Sequence, residues 1–370
     1  MRIDHYAVAG RGGVVCLNDG RLPHVESGWR LPEILDAFEP LIGRPTYLRL
    51  VGREELGPEH LGWLHVFDTG GAATSGVDPE RAVPRPLRPA LAAWLAEQSA
   101  ALTPPLRAAW SRPGWRAEAE SWAGCRLEPH RMWALSAVLR GEGVFFKAAP
   151  PLFRNEPVIT QALARRHPGL VPDVMRIDAE RGWLLMGEIR GRLVSEPDST
   201  DLSPALAALA AIQRAWVDRT DEALALGAQD RRRDWPSFGF PDTLTHGDFH
   251  AFNVAIASGG AVIFDWTDAC VAHPLFDLYT FLAFESDERA RERYVHAYAG
   301  AWNRDADDVA NALAGIAPHA CRHQEESYEA IAVSVEPDER PTFEGARDEW
   351  RERRVTAERE ETPPSPDTSH

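Results

Sequence analysis

The spacing of apolar positions predicts a mixed α+β chain that begins with a small module. In the first 85 residues, short apolar runs predict strands, and residues 31–38, with Pro32 in the first turn, predict a helix. The predicted strands lie at 13–17, 46–51 and 62–67. Residues 86–114 are rich in Pro, Arg and Ala and contain a helical pattern at 90–102. We therefore expect an α+β module of unknown role at 1–85, followed by a helical connector.

From residue 115 onward, strands come first and helices follow. The order is a helix, three strands, a helix and another strand, and then a mainly helical part. The strands are predicted at 126–133, 135–140, 144–148 and 182–189, and the helices at 116–123, 157–166, 204–217, 274–284, 288–302 and 309–333. The polar, Pro-rich end predicts a disordered tail at 356–370. We thus expect a strand-rich part at 115–190 and a helical part at 191–355.

Composition narrows the class of protein. The 370 residues are 44% hydrophobic and 26% charged, as in ordinary globular proteins, and the net charge of −16 argues against a nucleic-acid or anionic-membrane partner. That charge fits a cationic small substrate, and it also fits any acidic cytoplasmic protein. The four cysteines form no C-x-x-C pair, and the sequence contains neither a signal peptide nor a membrane-spanning apolar run. We expect a cytoplasmic protein without structural zinc.

One motif carries chemistry. It consists of His246-Gly247-Asp248, with Asn253 five residues after the aspartate and Asp265 twelve residues later. This is the spacing of a kinase catalytic loop, with Gly247 where protein kinases have Arg. In such a loop, the first Asp receives the proton of the acceptor hydroxyl, and the Asn and the second Asp hold Mg²⁺. The motif therefore predicts phosphoryl transfer, with Asp248 as the base.

Lysine usage supports the same prediction. Among the 40 basic residues only Lys147 is a lysine, and it ends the apolar run Gly143-Val144-Phe145-Phe146. The third strand of a kinase N-lobe carries a lysine in this setting. A lysine is a compact charge on a thin stem and can reach nucleotide phosphates, whereas arginine is a wide planar fork. Lys147 is therefore a candidate phosphate ligand.

These residues resemble the aminoglycoside phosphotransferase / choline kinase-like family, which has the protein-kinase-like fold. The resemblance spans residues 115–335 and rests on the motif above, on Ile263-Phe264-Asp265-Trp266, and on His273-Pro274 followed by Asp277-Leu278. It implies an α+β fold of two lobes, preceded by the module at 1–85. The N-lobe would be β-rich, at 115–190, and the C-lobe helical, at 191–355, with the catalytic loop.

The resemblance also implies supporting roles. Glu156, at a predicted helix start, would orient Lys147 by an ion pair, although an acid is favoured at that place by the helix dipole in any case. His246 would be structural rather than a base. Asp277 would support the catalytic loop, and capping of its own helix is an equal interpretation.

The nucleotide side of the predicted site is less regular. The turn between the first two N-lobe strands has no glycine, so a Gly-rich phosphate cover is absent, and Ser136 could donate to a phosphate instead. The backbone from Met186 through Glu188 to Ile189 would form the hinge that binds the purine. Side chains in this hinge do not distinguish ATP from GTP; the resemblance implies ATP, with GTP possible, together with Mg²⁺.

The acceptor is the least determined part. Glu325, Glu326 and Glu329 cluster on a predicted C-terminal helix and could bind ammonium groups of an aminoglycoside or a choline-like compound, although a solvated helix face explains them equally. The predicted function is a kinase acting on a hydroxyl of a small acceptor that could be cationic, with no nucleic acid or membrane as partner. The alternative is a nucleotide-binding pseudokinase with a regulatory role. The sequence leaves the oligomeric state open.

Overall fold

The computed structural model divides into two compact units, Met1–Pro150 and Pro151–His370. It describes residues 1–8, 19–44, 46–68, 77–100, 104–189, 191–194, 201–233 and 235–361. The strand predicted at 13–17 lies outside these residues. The finer division of the chain at residues 85, 114 and 190 stays a prediction.

The first unit opens with a four-stranded sheet. Its elements are β1 (Arg2–Val8), β2 (His24–Glu26), α1 (Leu31–Ile42), β3 (Tyr47–Gly57) and β4 (His60–Phe67), followed by α2 (Pro79–Ala82), α3 (Arg88–Ala100) and α4 (Trp115–Ala123). The strand order is β2-β1-β4-β3, with β1 parallel to β4 and the outer pairs antiparallel. Strand β1 escaped the sequence prediction because its Asp4 and His5 interrupt the apolar pattern.

Helix α1 packs its apolar stripe onto this sheet. Its buried residues recur at the spacing of one helix face and include Ile34, Leu35 and Phe38. The Phe38 ring lies 5.8 Å from that of Phe67, in an edge-on arrangement. The helix predicted at 31–38 therefore exists and runs four residues further, to Ile42.

A chain of hydrogen bonds through two buried histidines crosses the sheet. His5 Nε2 lies 3.0 Å from the carbonyl oxygen of Gly28, and His5 Nδ1 lies 2.9 Å from His65 Nε2. Because the carbonyl can only accept, His5 donates from Nε2 and its Nδ1 accepts from His65. Burial lowers the pKa of both histidines. Both rings are therefore held neutral.

A three-stranded meander closes the first unit. It consists of β5 (Glu128–Trp133), β6 (Ser136–Gly141) and β7 (Val144–Ala148), paired antiparallel in that order. Gly143, at φ +67°, makes the turn before β7. Lys147 lies opposite Val138 in the register and is almost fully buried. All three strands lie within about two residues of their predicted bounds.

The second unit is mainly helical. Its helices are α5 (Glu156–Arg166), α6 (Ser203–Trp216), α7 (Thr220–Ala225), α8 (Leu275–Leu282), α9 (Glu288–Trp302), α10 (Ala306–Ser334) and α11 (Arg340–Glu361). Its strands are β8 (Val174–Asp178), β9 (Trp183–Gly187), β10 (Arg192–Leu193), β11 (Gln229–Asp230), β12 (Thr243–Thr245), β13 (Val254–Ala257), β14 (Gly260–Ile263) and β15 (Cys270–Ala272). Two of the strands, β13 and β14, form an antiparallel hairpin.

Burial in the core of this unit explains why some of its helices could be predicted from the sequence and others could not. Helix α6 buries Leu206, Leu209, Ile212 and Trp216, the four apolar positions on which its prediction rested. Helix α11 escaped prediction because it is strongly polar. It includes residues 356–361, which the sequence assigned to a tail, and residues 362–370 lie outside the described part. Strand β8 was also missed, since most of its residues are only partly buried.

The predicted α+β class is confirmed. From β5 onward the order is three strands, a helix, two strands and then a mainly helical part that contains a hairpin. This is the order expected for a protein-kinase-like fold. Among the helices described, none is both long and apolar enough to cross a membrane.

The buried histidine pair makes the first unit sensitive to acid. A base whose pKa is lowered on folding binds its proton more tightly when unfolded, so its contribution to stability is present above pH ~6.5 and is lost as the pH falls. We expect the free energy of unfolding to fall between pH 7 and pH 5, by up to about 1.4 kcal/mol per pH unit for each histidine. Urea unfolding followed by circular dichroism measures this change.

The matched variants are His65→Gln and His296→Gln. Glutamine can donate and accept but does not titrate, so His65→Gln should make the pH dependence of unfolding less steep than in the wild type. His296 is exposed on α9, and its replacement should leave that dependence as in the wild type. Equal pH dependence in wild type and His65→Gln would contradict the assignment of a neutral buried pair.

Candidate active site

The predicted catalytic residues meet around one loop and one hairpin. Strand β12 leads directly into His246, Gly247 and Asp248, and β13 begins immediately after Asn253. In the β13–β14 hairpin Val254 pairs with Ile263, and the Phe264 N–H donates to the Asn253 carbonyl at 3.0 Å. Asn253 therefore lies beside the strand end that presents Asp265. This pairing brings together the two residues predicted to bind the metal.

The carboxylate of Asp277, on α8, holds the backbone of the loop. The His246 N–H donates to Asp277 Oδ2 at 2.8 Å, and the Gly247 N–H donates to Oδ1 at 2.9 Å. Gln213 Nε2, from α6, adds a third donor to Oδ2 at 2.9 Å. These contacts favour the loop-supporting role of Asp277 over capping of its own helix.

Burial and hydrogen bonding act in opposite directions on Asp277. Burial raises the pKa of this carboxyl to about 6, although three N–H donors stabilise its charged form. At neutral pH the group is therefore a carboxylate, which is the form that can accept all three bonds. Gln213 is in turn fixed by Tyr298, whose Oη donates to Gln213 Oε1 at 2.7 Å.

His246 connects the loop to the strand end. Its Nε2 lies 3.0 Å from the carbonyl oxygen of Phe264, so Nε2 carries the proton, and Nδ1 accepts from the Asp248 N–H at 3.3 Å. Burial lowers the pKa of this imidazole, which favours the neutral ring that these contacts require. Both nitrogens are engaged within the fold, which supports a structural role rather than that of a base.

Asp248 keeps its side chain accessible while its backbone is fixed. About a third of the side chain is exposed, at 35%. Its N–H is held by His246, and its carbonyl accepts from Asn253 Nδ2 at 3.0 Å. His250 Nε2 lies 3.4 Å from Asp248 Oδ2. The geometry thus presents a carboxylate to the surface from a backbone held by two hydrogen bonds, which suits a group that must meet an acceptor hydroxyl.

Asn253 and Asp265 fit a Mg²⁺ site. Because Asn253 Nδ2 donates to the Asp248 carbonyl, its Oδ1 is the atom available to a metal ion. Asp265 adopts a left-handed backbone, at φ +66°, and its Oδ1 accepts from Thr267 Oγ1 at 2.8 Å. Mg²⁺ favours one or two such oxygens together with phosphate oxygens and water. In the described residues, no group of three or more His, Cys, Asp or Glu side chains forms a metal site.

Asp268 is a third carboxyl group that sequence reasoning missed. Burial, followed by the nearby charges of Asp248 and Asp265, raises its pKa to about 7. Its Oδ2 lies 3.3 Å from Thr267 Oγ1, whose single hydroxyl proton is directed to the nearer Asp265 Oδ1. A carboxyl with such a pKa beside two other acids is typical of a functional site. The available signal was its position three residues after Asp265.

Gly247 accounts for a departure from protein kinases. Its φ is +86°, and a Cβ at this position would lie 2.1 Å from the Asp268 carbonyl oxygen. A side chain is therefore excluded both by the backbone conformation and by the neighbouring turn. The Arg that protein kinases place here has no room in this loop.

Internal ion pairs occupy the acids of α10 that were candidates for binding a cation. Glu325 accepts from Arg351 at 2.7 Å and from Arg354 at 2.9 Å, both on α11. Glu329 pairs with Arg347 at 2.7 Å, and Glu326 forms a two-bond pair with Arg233. The sequence left two interpretations of these acids open, ammonium binding and a solvated helix face. The structure supports a third, in which the acids form ion pairs that hold α10 to its neighbours.

The residues predicted for the nucleotide lie in both units. In the first, Lys147 is on β7, and Ser136 opens β6, where its Oγ accepts from Trp133 Nε1 at 2.9 Å. In the second, Glu156 is buried at the start of α5, and Met186 is buried on β9. After that strand, Glu188 is exposed and Ile189 is half-buried. Their joint action on a nucleotide stays a prediction.

Comparisons with known proteins support the motif. Residues 196–312 match the model of the Phosphotransferase enzyme family. This segment contains Asp248, Asn253, Asp265 and Asp277. The match therefore confirms the predicted resemblance for this part of the chain. No curated protein sequence matches the chain significantly.

Solved structures with low identity are also similar. One is a choline/ethanolamine kinase family protein from Mesorhizobium loti, with 16% identity over 68% of this chain and 94% of that chain, at a TM-score of 0.48. Another is the macrolide 2′-phosphotransferase from Brachybacterium faecium, with 16% identity over 62% and 95%, at 0.43. A third is the GDP complex of wild-type aminoglycoside 2′-phosphotransferase-IIIa, with 12% identity over 68% and 100%, at 0.47.

Gly247→Ala tests whether the loop requires a glycine. The added methyl must displace the Asp268 turn and adopt a strained left-handed backbone, so we expect a loss of stability of about 1–3 kcal/mol. The control is Gly259→Ala, because a Cβ at Gly259 meets nothing within 4 Å. Thermal unfolding of the two variants and of the wild type measures the difference. Equal stability of both variants would contradict the packing described here.

Proposed function

We propose that this protein is a small-molecule kinase that transfers the γ-phosphoryl group of Mg-ATP, or of Mg-GTP, to a hydroxyl group of its acceptor. One observation carries the proposal. Asp248 presents an accessible carboxylate from a rigid loop that also adjoins Asn253 and Asp265, within the segment that matches a phosphotransferase family. Catalysis of phosphoryl transfer depends mainly on such positioning and on charge stabilisation.

The residues divide the reaction between them. Asp248 accepts a hydrogen bond from the acceptor hydroxyl, orients its oxygen toward the γ-phosphorus, and takes its proton as the new P–O bond forms and the bond to the leaving nucleoside diphosphate breaks. Asn253 and Asp265 would hold Mg²⁺, which would neutralise charge on the phosphates. His246 and Asp277 keep the loop in place.

The nucleotide role of the remaining residues follows from the same proposal. Lys147 pairs with the phosphates. Ser136 donates its hydroxyl proton to a phosphate, which is compatible with its oxygen accepting from Trp133. The backbone between Met186 and Ile189 binds the purine, and its peptide groups can serve adenine or guanine.

The acceptor is proposed to be small, and its recognition does not use the acids of α10. Glu325, Glu326 and Glu329 already pair with arginines. A cationic group on the acceptor, as in an aminoglycoside or a choline-like metabolite, would instead meet the carboxyl groups around Asp248. Recognition of a cationic group on the acceptor would therefore depend on Asp248 and Asp268.

The test is release of ADP or GDP across a panel of acceptors. Wild type is incubated with Mg-ATP or Mg-GTP and with aminoglycosides, macrolides, choline, homoserine, methylthioribose or simple sugars. We expect Asp248→Asn to lower acceptor-dependent turnover by about 10²–10⁴-fold, because general-base catalysis contributes that much. Nucleotide binding, measured by calorimetry, should persist in this variant.

The control is Asp338→Asn, at an exposed turn far along the chain from the motif. It removes the same charge and should keep wild-type turnover. Full turnover in Asp248→Asn would overturn the proposed base. Nucleotide binding without turnover of any acceptor would favour the pseudokinase alternative, and absence of nucleotide binding would overturn the kinase assignment itself.

Asp265→Asn tests the proposed metal ligands. Replacing a carboxylate by an amide weakens Mg²⁺ binding, so the Mg²⁺ concentration for half-maximal turnover should rise by about tenfold or more. Binding of Mn²⁺ in the presence of nucleotide, followed by electron paramagnetic resonance, gives a readout independent of turnover. Unchanged Mn²⁺ affinity, relative to Asp338→Asn, would remove Asp265 from the site.

A further inference from the structure

One hydrogen bond to the backbone next to Asp248 is explained neither by the motif nor by the family match. Gln324, on α10, donates from Nε2 to the Gly247 carbonyl oxygen at 2.7 Å. That carbonyl belongs to the peptide bond that joins Gly247 to Asp248. Gln324 lies 77 residues after Gly247 and is 2% exposed. A distant helix is therefore bonded directly to the residue before the proposed base.

The amide of Gln324 is itself fixed. Its Nε2 also donates to Thr280 Oγ1 at 3.0 Å, so two acceptors use the two protons of one amide nitrogen. Thr280 follows Asp277 by three residues on α8, and residues at this spacing share a helix face. One face of α8 thus holds the loop twice, directly through Asp277 and indirectly through Gln324.

The contacts on the loop complement one another. Asp277 accepts from the N–H groups of His246 and Gly247, whereas Gln324 donates to the Gly247 carbonyl. Gly247 has no side chain that could anchor it, and the residue is buried, so water is poorly placed to replace Gln324 as the donor to its carbonyl. Without Gln324, the N–H groups of His246 and Gly247 would stay paired, but the Gly247 carbonyl would lose the donor that Gln324 supplies. Leaving a buried carbonyl unpaired is costly.

We propose that Gln324 is a positioning residue for Asp248 and that α10 thereby forms part of the phosphoryl-transfer machinery. This inference rests on the proposed function, because Asp248 needs a fixed position only if it must meet an acceptor hydroxyl. Misplacement of a reacting group by about 1 Å can cost about 10²-fold in rate. Loss of the Gln324 contact should therefore lower turnover while leaving the nucleotide site intact.

The test variant is Gln324→Met, which keeps the length of the side chain and removes the donor. Hydrogen exchange followed by mass spectrometry should show faster exchange in the peptide that contains residues 246–253. In acceptor-dependent ADP release, kcat should fall by about 10- to 100-fold, with KM for the nucleotide within about twofold of the wild type.

The matched control is Ser327→Ala, one turn further along α10. Ser327 is buried and accepts from Arg231 Nη1 at 2.7 Å, so its loss loosens the helix without touching the loop. Exchange should rise around residues 229–233 and stay unchanged at 246–253, with wild-type kcat. The same rise at 246–253 in both variants would show a general loosening of α10 and overturn the inference.

A second variant provides the test if Gln324→Met does not fold. Thr280→Val keeps the side-chain volume and removes one of the two acceptors of the Gln324 amide, so exchange at 246–253 should rise by a smaller factor. Unchanged loop exchange in these variants would overturn the inference. Wild-type protein that turns over no acceptor would instead overturn the proposed function, and the exchange measurements would still decide whether Gln324 holds the loop.

Discussion

The candidate active site depends above all on the buried carboxylate of Asp277. A single side chain accepts from two consecutive backbone N–H groups, at His246 and Gly247, and so fixes the direction in which the chain leaves β12. The cost of burying this charge is offset by three donors, the third from Gln213. Everything downstream in the loop, including the orientation of Asp248, follows from that fixed start.

From this start, each loop residue fixes the next. His246 uses one ring nitrogen for the Phe264 carbonyl and the other for the Asp248 N–H, so a neutral imidazole links the loop to the strand that ends at Asp265. Asn253 holds the Asp248 carbonyl with its nitrogen and thereby leaves its Oδ1 available to a metal ion. Hydrogen-bond donors and acceptors of a few residues thus set the geometry of base and metal ligands together.

Charge is distributed so that the site acids differ from the others. The acids of α10 are paired with arginines of the strongly polar helix α11 or with Arg233, and these ion pairs connect α10 to both. Around Asp248, by contrast, burial and then the nearby charges of Asp248 and Asp265 raise the pKa of Asp268. Carboxyl groups brought together in this way suit a site that receives Mg²⁺ and, by our proposal, a phosphoryl donor.

The sequence by itself determined the chemistry-bearing motif and most regular elements. Asp248, Asn253 and Asp265 were found because a catalytic loop imposes a fixed spacing, and helices such as α6 and α9 because an apolar stripe must face a core. Strand β1 and helix α11 were missed, since their polar residues are compensated by partners distant in the chain. Only the tertiary structure decided what those partners are: the His5–His65 pair, the arginines on the acids of α10, and Gln324 on the Gly247 carbonyl. The physical reason is that a hydrogen bond or ion pair between distant residues leaves no periodic trace along the chain, whereas burial against a core does.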